Sequence, residues 1–309
     1  MYEGKIIKFY REKIQMTQEQ LGKGICSGTH ISKIERLHTE YAPEIVTLLS
    51  ERLEINIETE IIKLKNIKKR LHHWHDVIVM QLFEEMDLIN QELEQEDLIQ
   101  ISDYINLYKL LRVRYLLMHN LTEEASDIIV EIQKKEQKLS SYEANLFKHV
   151  LGVYYLAKHE NLKAIQALKS INDTDYINKE YTYHLAVAYH LNESPVMAYF
   201  FADKSRQFFK EINNYLRVID AEMLMAIQVK DDGDFNETIQ KFESLIKSCE
   251  LCHSPDRKAK VLHNLAFEYF RRKNYVCSVI TFSVILIPFN FGNLVFYCSV
   301  FSGTLILRY

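Results

Sequence analysis

Apolar residues recur at helical spacing along most of the chain. The first stripe is formed by Ile6, Ile7, Phe9, Tyr10 and Ile14, and longer stretches such as "DLIQISDYINLYKLLRVRYLL" and "EEASDIIVEIQ" show the same period. Turn residues are scarce, because 309 residues include only 8 Gly and 4 Pro. Folds that are rich in strands need more turn residues than this. The sequence therefore predicts an all-α protein.

The stretch "TQEQLGKGICSGTHISKIE" predicts two short helices joined by a glycine-containing turn. Thr17 and Gln20 have the spacing of a capping box, which begins the first helix. Ser27 can cap the second helix, in which Ile31 and Ile34 face inward. The outer face of this second helix is small or polar: Gly28, Thr29, His30, Ser32 and Lys33. This pattern predicts a helix-turn-helix, which fits the major groove of DNA.

The same stretch resembles the Cro/repressor-type superfamily in "TQEQL" and in "S-x-x-x-I-S-K-I-E". The form "L-G-K-G-I-C-S" resembles more narrowly the peptide-pheromone regulators of the Rgg/PlcR/NprR group. The resemblance implies that the head, residues 1–62, binds double-stranded DNA. It also implies that Arg11 and Glu35 pair and so connect the first helix to the recognition helix. The implied DNA-contacting residues are Thr17, Gln18, Ser27, Gly28, Thr29, His30, Ser32 and Lys33.

Two features limit what the head can be expected to do. After Glu35 the segment "RLHTEYAPE" departs from the family's usual turn, so the path of this loop stays open. The recognition face has no Arg, Asn or Gln, the residues that make the strongest bidentate contacts to bases. DNA shape is then expected to carry more of the specificity. A bundle of this kind used only for protein contact is the alternative.

The charge distribution agrees with a head that binds the phosphates of DNA. Residues 1–70 carry 13 Lys and Arg against 10 Glu, whereas the whole chain has a net charge of −4. The odd number of cysteines, five, fits a reduced cytoplasm better than a framework of disulfides.

The body of the chain repeats a pattern of small residues. "LGVYYLAKHENLKAIQAL" is typical of a tetratricopeptide unit, and "LAVAYHLNESPVMAYFFA" follows it after 34 residues, the period of that repeat. In four units two small positions lie twelve residues apart: Gly152 and Ala164, Ala186 and Ala198, Ala226 and Thr238, Ala266 and Ser278. Small side chains at this spacing let two antiparallel helices approach closely. The sequence therefore predicts an α-solenoid of tetratricopeptide repeats.

A helix-turn-helix followed by such repeats resembles the layout of the pheromone regulators. It implies a homodimer whose DNA-binding state changes when a short signalling peptide binds the concave face. The expected domains are 1–62 for the head, 63–75 for a linker helix that Trp74 anchors, 76–282 for the repeats and 283–309 for an apolar tail.

Peptide contacts are expected on the first helix of each repeat, two residues before its small position. These positions hold Val150, His184, Leu224 and Asn264. Asn264 is the best candidate, because its amide can both donate to and accept from a peptide backbone. Lys260 and Arg271 are expected to hold a carboxylate. The alternative is that these polar residues form a solvated helix face.

Other functions have weaker support in the sequence. A protein-interaction switch that binds and inhibits a response-regulator protein is the main alternative, since a solenoid groove serves either use. "CELCH" at residues 249–253 has the spacing for haem attachment or half of a zinc site, but it falls in a turn between repeats. No enzyme motif stands out, and neither a cofactor nor a metal is expected.

The end of the chain changes character. Residues 276–307 contain no Asp, Glu, Lys or Arg, although the chain has 80 of them. Their length would suffice for a membrane span, but Pro288, Asn290, Gly292 and Asn293 interrupt it. A non-native tail, a membrane anchor and a buried or dimer-forming segment all remain open.

Overall fold

The computed structural model describes residues 2–36, 42–229 and 235–286. Within these ranges every regular element is helical, as the sequence predicted, and none is a strand. The chain divides into two compact units, Met1–Tyr115 and Leu116–Tyr309. In the described ranges no helix is long and apolar enough to span a membrane. Residues 37–41 of the loop after Glu35, and the predicted tail from residue 287 onward, lie outside the described residues.

Seven α-helices begin in the described part of the first unit. They are α1 (Glu3–Lys13), α2 (Gln18–Gly22), α3 (Gly28–Glu35), α4 (Pro43–Arg52), α5 (Ile57–Met80), α6 (Phe83–Glu94) and α7 (Ile105–Met118), with a short 3-10 helix at Asp97–Ile101 between α6 and α7. Helices α1 to α4 share a core of seven buried side chains: Ile7, Leu21, Ile31, Ile34, Val46, Leu49 and Leu53. The predicted helix-turn-helix is therefore present as α2 and α3.

Helix α5 is continuous and contains the predicted linker segment 63–75. The Asn56 side chain caps its first turn by accepting a hydrogen bond from the backbone N–H of Thr59 at 2.9 Å. Trp74 is fully buried, and its indole N–H donates to the Met86 carbonyl at 3.2 Å. Its ring also stacks on Tyr108. Trp74 thus anchors α5 within the first unit, while the boundaries at residues 62 and 75 stay a prediction.

The second unit is a series of helical hairpins. Its helices are α8 (Thr122–Gln133), α9 (Ser141–Ala157), α10 (Asn161–Lys169), α11 (Tyr181–Leu191), α12 (Pro195–Glu211), α13 (Tyr215–Ile227), α14 (Phe235–Leu251), α15 (Pro255–Arg271) and α16 (Tyr275–Leu286), with a 3-10 helix at Glu136–Lys138. Each helix from α9 to α15 packs on the next, and α9 also contacts α11, α11 contacts α13, and α13 contacts α15. This stacking of hairpins is the predicted tetratricopeptide solenoid.

The small residues of the repeats lie where the helices meet. All eight predicted small positions, from Gly152 to Ser278, are buried. At Gly152 a Cβ atom would lie 2.4 Å from Cδ2 of Leu168 on the facing helix α10. The sequence prediction that small side chains permit a close helix approach is confirmed.

Candidate functional site

The helix-turn-helix is held by caps and by one buried carboxylate. Thr17 and Gln20 form the predicted capping box, and the Ser27 hydroxyl accepts from the backbone N–H of His30. The Glu35 carboxylate accepts two hydrogen bonds from the Arg11 guanidinium, at 2.5 and 3.0 Å. The hydrogen bonds from its side chain to Glu35 raise the pKa of Arg11 above its usual value. The pair that the family resemblance implied is therefore present.

Gln18 joins the same network. Its side-chain N–H donates to Oε2 of Glu35 at 2.7 Å, which connects the start of α2 to the end of α3. The structure thus shows a positioning role for this amide, while its predicted phosphate contact stays a prediction.

The outer face of α3 carries the predicted recognition residues. Thr17, Ser27, Thr29 and Lys33 are exposed, whereas Gly28, His30 and Ser32 are half-buried. Gly28 is confined, because a Cβ atom there would lie 3.2 Å from the Glu19 carboxylate. The freely exposed groups on the helix itself are the Thr29 hydroxyl and the Lys33 ammonium.

One stabilising contact of the helix-turn-helix was not predicted from the sequence. Arg52, at the end of α4, donates from Nη1 to the backbone carbonyls of Leu21 and Lys23, at 2.7 and 2.6 Å. These carbonyls end α2, and a guanidinium at the C-terminal end of a helix is favourable for both its hydrogen bonds and its dipole. A single Arg in the last turn of another helix gives no sequence signal for this role.

A row of buried polar residues follows the first helices of the repeats, α9, α11, α13 and α15. We call it the polar row, and its members are His149, Glu180, His184, Arg217, Asp220, Arg257, Lys260 and Asn264. Six of them are buried, and Arg257 and Lys260 are half-buried. The sequence analysis singled out only His184, Lys260 and Asn264, because it chose residues by their position in the repeat and could not show which side chains meet across neighbouring repeats.

Two imidazoles meet at one end of the polar row. Nε2 of His149 lies 2.8 Å from Nδ1 of His184, and Nδ1 of His149 lies 2.9 Å from the Tyr176 hydroxyl. Glu180, which precedes the first residue of α11, lies 4.0 Å from Nε2 of His184. The predicted peptide residue His184 is therefore enclosed among polar partners.

An ion-pair ladder continues the row. The Arg217 guanidinium lies 3.7 Å from Glu180 and 3.1 Å from Asp220, and it also stacks over the Tyr183 ring. Arg257 donates to both carboxylate oxygens of Asp220, at 2.9 and 3.0 Å. Although burial opposes ionisation, Arg257 and Arg217 together lower the pKa of Asp220 below its usual value. The ladder links α11, α13 and α15.

Asn264 lies near the other end of the row and is only 2% exposed. Its side-chain N–H donates to the Lys260 carbonyl at 3.0 Å. Its Oδ1 atom is buried and has no hydrogen-bond partner among the residues that the structure describes. Burial lowers the pKa of the nearby Lys260 ammonium. The amide thus keeps one acceptor available for a backbone N–H.

The four positions two residues before the small residues are all closed to solvent. Val150, His184, Leu224 and Asn264 are at most 2% exposed. The alternative of a solvated polar face is therefore wrong for His184 and Asn264, because contact between successive first helices covers this position. Arg271 already holds a carboxylate of its own helix, since it lies 2.8 Å from Glu268.

The "CELCH" motif lies at the end of α14 and in the turn that follows. Cys249 is buried, and desolvation raises the pKa of its thiol to about 11. A thiol with so high a pKa is mostly protonated at neutral pH.

Comparison with known proteins supports the resemblance found in the sequence. No family model matches the chain. The regulatory protein RapF of Bacillus subtilis (strain 168) is 22% identical over 227 residues, which are 67% of this chain and 60% of RapF. RapD of the same organism is 21% identical over 214 residues, with 66% and 60% coverage. The chain thus spans 60% of the length of these curated relatives.

Solved structures share the fold at low identity. NprR in complex with its cognate peptide NprX gives a TM-score of 0.65 at 19% identity, covering 73% of this chain and 68% of that one. A Rap protein complexed with Competence and Sporulation Factor gives 0.62 at 17% identity, covering 72% and 65%. The resemblance to the group of NprR is therefore confirmed at the level of the fold.

Proposed function

We propose that the chain is a transcription regulator that binds DNA through α3 and is controlled by a short signalling peptide held against the first helices of its repeats. It acts as a homodimer on a two-part operator. One observation supports the proposal most directly. The same chain contains a helix-turn-helix stabilised by helix caps and a repeat unit whose fold is similar to that of NprR in complex with its peptide.

The exposed groups of α3 suit DNA. The Lys33 ammonium can donate to a phosphate or to the acceptor atoms of guanine, and the Thr29 hydroxyl can contact a base or a phosphate. The Glu35 network fixes α3 against α1 and α2, so the two groups are presented in a defined orientation.

The polar row suits a peptide backbone. The Oδ1 atom of Asn264 is a buried acceptor without a partner among the described residues, and an N–H of a bound peptide would satisfy it. Lys260 lies one helical turn before Asn264, is half-buried, and can pair with a peptide carboxylate. NprR, which has the same repeat fold, was solved with a peptide.

A gel-shift assay with the DNA upstream of the protein's own gene tests the first half of the proposal. We expect the double variant Thr29→Ala, Lys33→Ala to lose specific binding with an unchanged melting temperature, because both side chains are exposed. Lys169→Ala is the matched control, since it removes an exposed charge from α10. Equal operator affinity in the double variant and the wild type would exclude α3 as the recognition helix.

Titration calorimetry with peptides encoded beside the gene tests the second half. We expect Asn264→Ala to weaken peptide binding by about 1–3 kcal/mol, the cost of leaving a buried backbone group unpaired. Asn192→Ala, at an exposed position after α11, should leave the affinity unchanged. If both variants bind like the wild type, the peptide does not use this part of the row.

The resemblance to two Rap regulatory proteins favours a second candidate. In this alternative the chain is a protein-interaction switch that binds and inhibits a response-regulator protein. The Thr29 and Lys33 double variant separates the two candidates. It should abolish DNA binding in the first case and leave inhibition of a response regulator intact in the second.

A further inference from the structure

We propose that His149, His184 and Glu180 form a site for a divalent transition-metal ion, with Zn²⁺ the best match. These are the three residues in the described part of the chain whose ligand atoms cluster: one from each residue lies within 4.8 Å of the others. The three residues belong to the polar row, but the metal site does not require DNA or peptide binding.

The donor set fits zinc. Two imidazoles and one carboxylate are a known protein ligand set for Zn²⁺, with one position left for water. Glu180 and His184 are four residues apart at the start of α11, so both side chains leave the same side of one helical turn. His149 comes from α9, one repeat earlier, and supplies the third direction.

The present distances require only small movements. Ligands at about 2.0–2.2 Å from a tetrahedral zinc ion lie about 3.3 Å from each other. The two imidazole nitrogens, now 2.8 Å apart, must open by about half an ångström, since a proton rather than a metal now lies between them. Oε1 of Glu180 lies 4.0 Å from Nε2 of His184, whereas it is Nδ1 of His184 that faces His149, so the Glu180 side chain or the His184 ring must also rotate for all three residues to reach one ion.

The Tyr176 hydroxyl can orient one of the two imidazoles. Metal-bound imidazoles usually donate their other N–H to a polar group, which fixes the ring and its tautomer. Nδ1 of His149 lies 2.9 Å from the Tyr176 hydroxyl. With that N–H donating to the hydroxyl oxygen, Nε2 of His149 keeps its lone pair for the metal.

The neighbouring charges decide whether the ion is tolerated. One cation beside the cluster is Arg217, whose Nη2 lies 3.7 Å from Glu180. Arg217 also pairs with Asp220 at 3.1 Å, so Glu180 is not its sole counter-ion. The Glu180 carboxylate can therefore turn toward a metal without leaving Arg217 alone.

Burial predicts how the ion enters. His149, His184 and Glu180 are each at most 1% exposed. An ion bound there would bridge α9 and α11 and would exchange slowly with solvent, because both hairpins must separate to release it. Loading during refolding is expected to be fast, whereas loading of the folded chain is expected to be slow.

The test uses the untagged full-length chain, unfolded in guanidinium with a chelator and refolded with Co²⁺ or Zn²⁺. Excess metal is removed by gel filtration, and the retained metal is measured by elemental analysis and by the visible spectrum of bound Co²⁺. We expect one ion per chain, a tetrahedral Co²⁺ spectrum, and a higher melting temperature than that of the metal-free protein.

Three variants locate the ion. His184→Gln should abolish retention, and Glu180→Gln should weaken affinity at least about tenfold, as expected when a carboxylate that holds the metal is lost. His190→Gln is the matched control, because His190 lies on the same helix and pairs with Gln228 outside the cluster. It should bind like the wild type.

Two results would overturn the proposal. One is a wild-type chain that refolds to full helicity and retains no metal, which would make the cluster a hydrogen-bonded core network. The other is retention by His184→Gln equal to that of the wild type, which would place the ion elsewhere. If His184→Gln fails to refold, Glu180→Gln decides, and unchanged affinity in that variant refutes the site.

Discussion

At the scale of single residues, Glu35 links three helices of the head. Its carboxylate accepts from Arg11 and Gln18, so it joins α1, α2 and α3. Arg11 is 9% exposed and Glu35 is 8% exposed. A buried ion pair adds little over a well-packed apolar pair, but removing one partner leaves an uncompensated charge.

We expect Glu35→Ala to lower the free energy of unfolding of the first unit by about 3–5 kcal/mol. Denaturant unfolding followed by the fluorescence of Trp74, the chain's one tryptophan, measures this change within the same unit. Glu12→Ala is the control, since Glu12 also approaches Arg11, at 3.3 Å, but is exposed. Equal effects of the two substitutions would contradict the role given to Glu35.

At the scale of elements, close approach between helices depends on the small residues of each hairpin. Gly152 in the middle of α9 costs helix stability relative to Ala, by about 1 kcal/mol. Its presence is explained by Leu168, whose side-chain carbons occupy the place of a Cβ atom. Packing between α9 and α10 thus outweighs the local preference of the helix.

Gly152→Ala is expected to destabilise the second unit by about 1–3 kcal/mol through overpacking, despite the better helix propensity of Ala. In a Leu168→Ala background the same substitution should be neutral or stabilising, because the space is then free. Circular dichroism during urea unfolding of the four proteins gives the coupling energy. Additive effects would show that the two side chains do not compete for this space.

At the scale of the whole molecule, the charged part of the polar row extends beyond any single hairpin. Glu180 directly precedes α11, Arg217 and Asp220 lie on α13, and Arg257 lies on α15. We therefore expect the second unit to be sensitive to acid. Asp220 has a lowered pKa in the folded state. Its contribution to stability is therefore complete above about pH 3.9, the unfolded value, and is lost as the pH falls through the folded value.

Asp220→Asn should accordingly lower stability at neutral pH by about 3–5 kcal/mol, because Arg217 and Arg257 lose their shared partner. The variant should also lose less stability than the wild type when the pH is lowered below about 4. Urea midpoints of the helical signal at a series of pH values measure both effects. Asp203→Asn, at a partly exposed pair with Arg206, is expected to change neither.

Local features of the fold could be predicted from the sequence. The capping box of Thr17 and Gln20, the Ser27 cap and the inward positions of Ile31 and Ile34 each depend on residues three or four positions apart. The small residues that pair across each hairpin lie twelve positions apart in all four repeats, and this spacing is visible in the sequence. Such patterns identify helices and their register because the backbone geometry alone relates these positions.

The sequence by itself thus determined the helical class, the helix-turn-helix, the repeat register and the small positions where helices meet. Only the tertiary structure decided which polar residues share a site. His149 and His184 are 35 residues apart, and Asp220 and Arg257 are 37 apart, so stacking of successive hairpins brings them together. From the sequence alone, a polar residue on a first helix is expected to be exposed to solvent. Whether it is buried and paired depends on the helix that packs over it, and no short-range pattern encodes that contact.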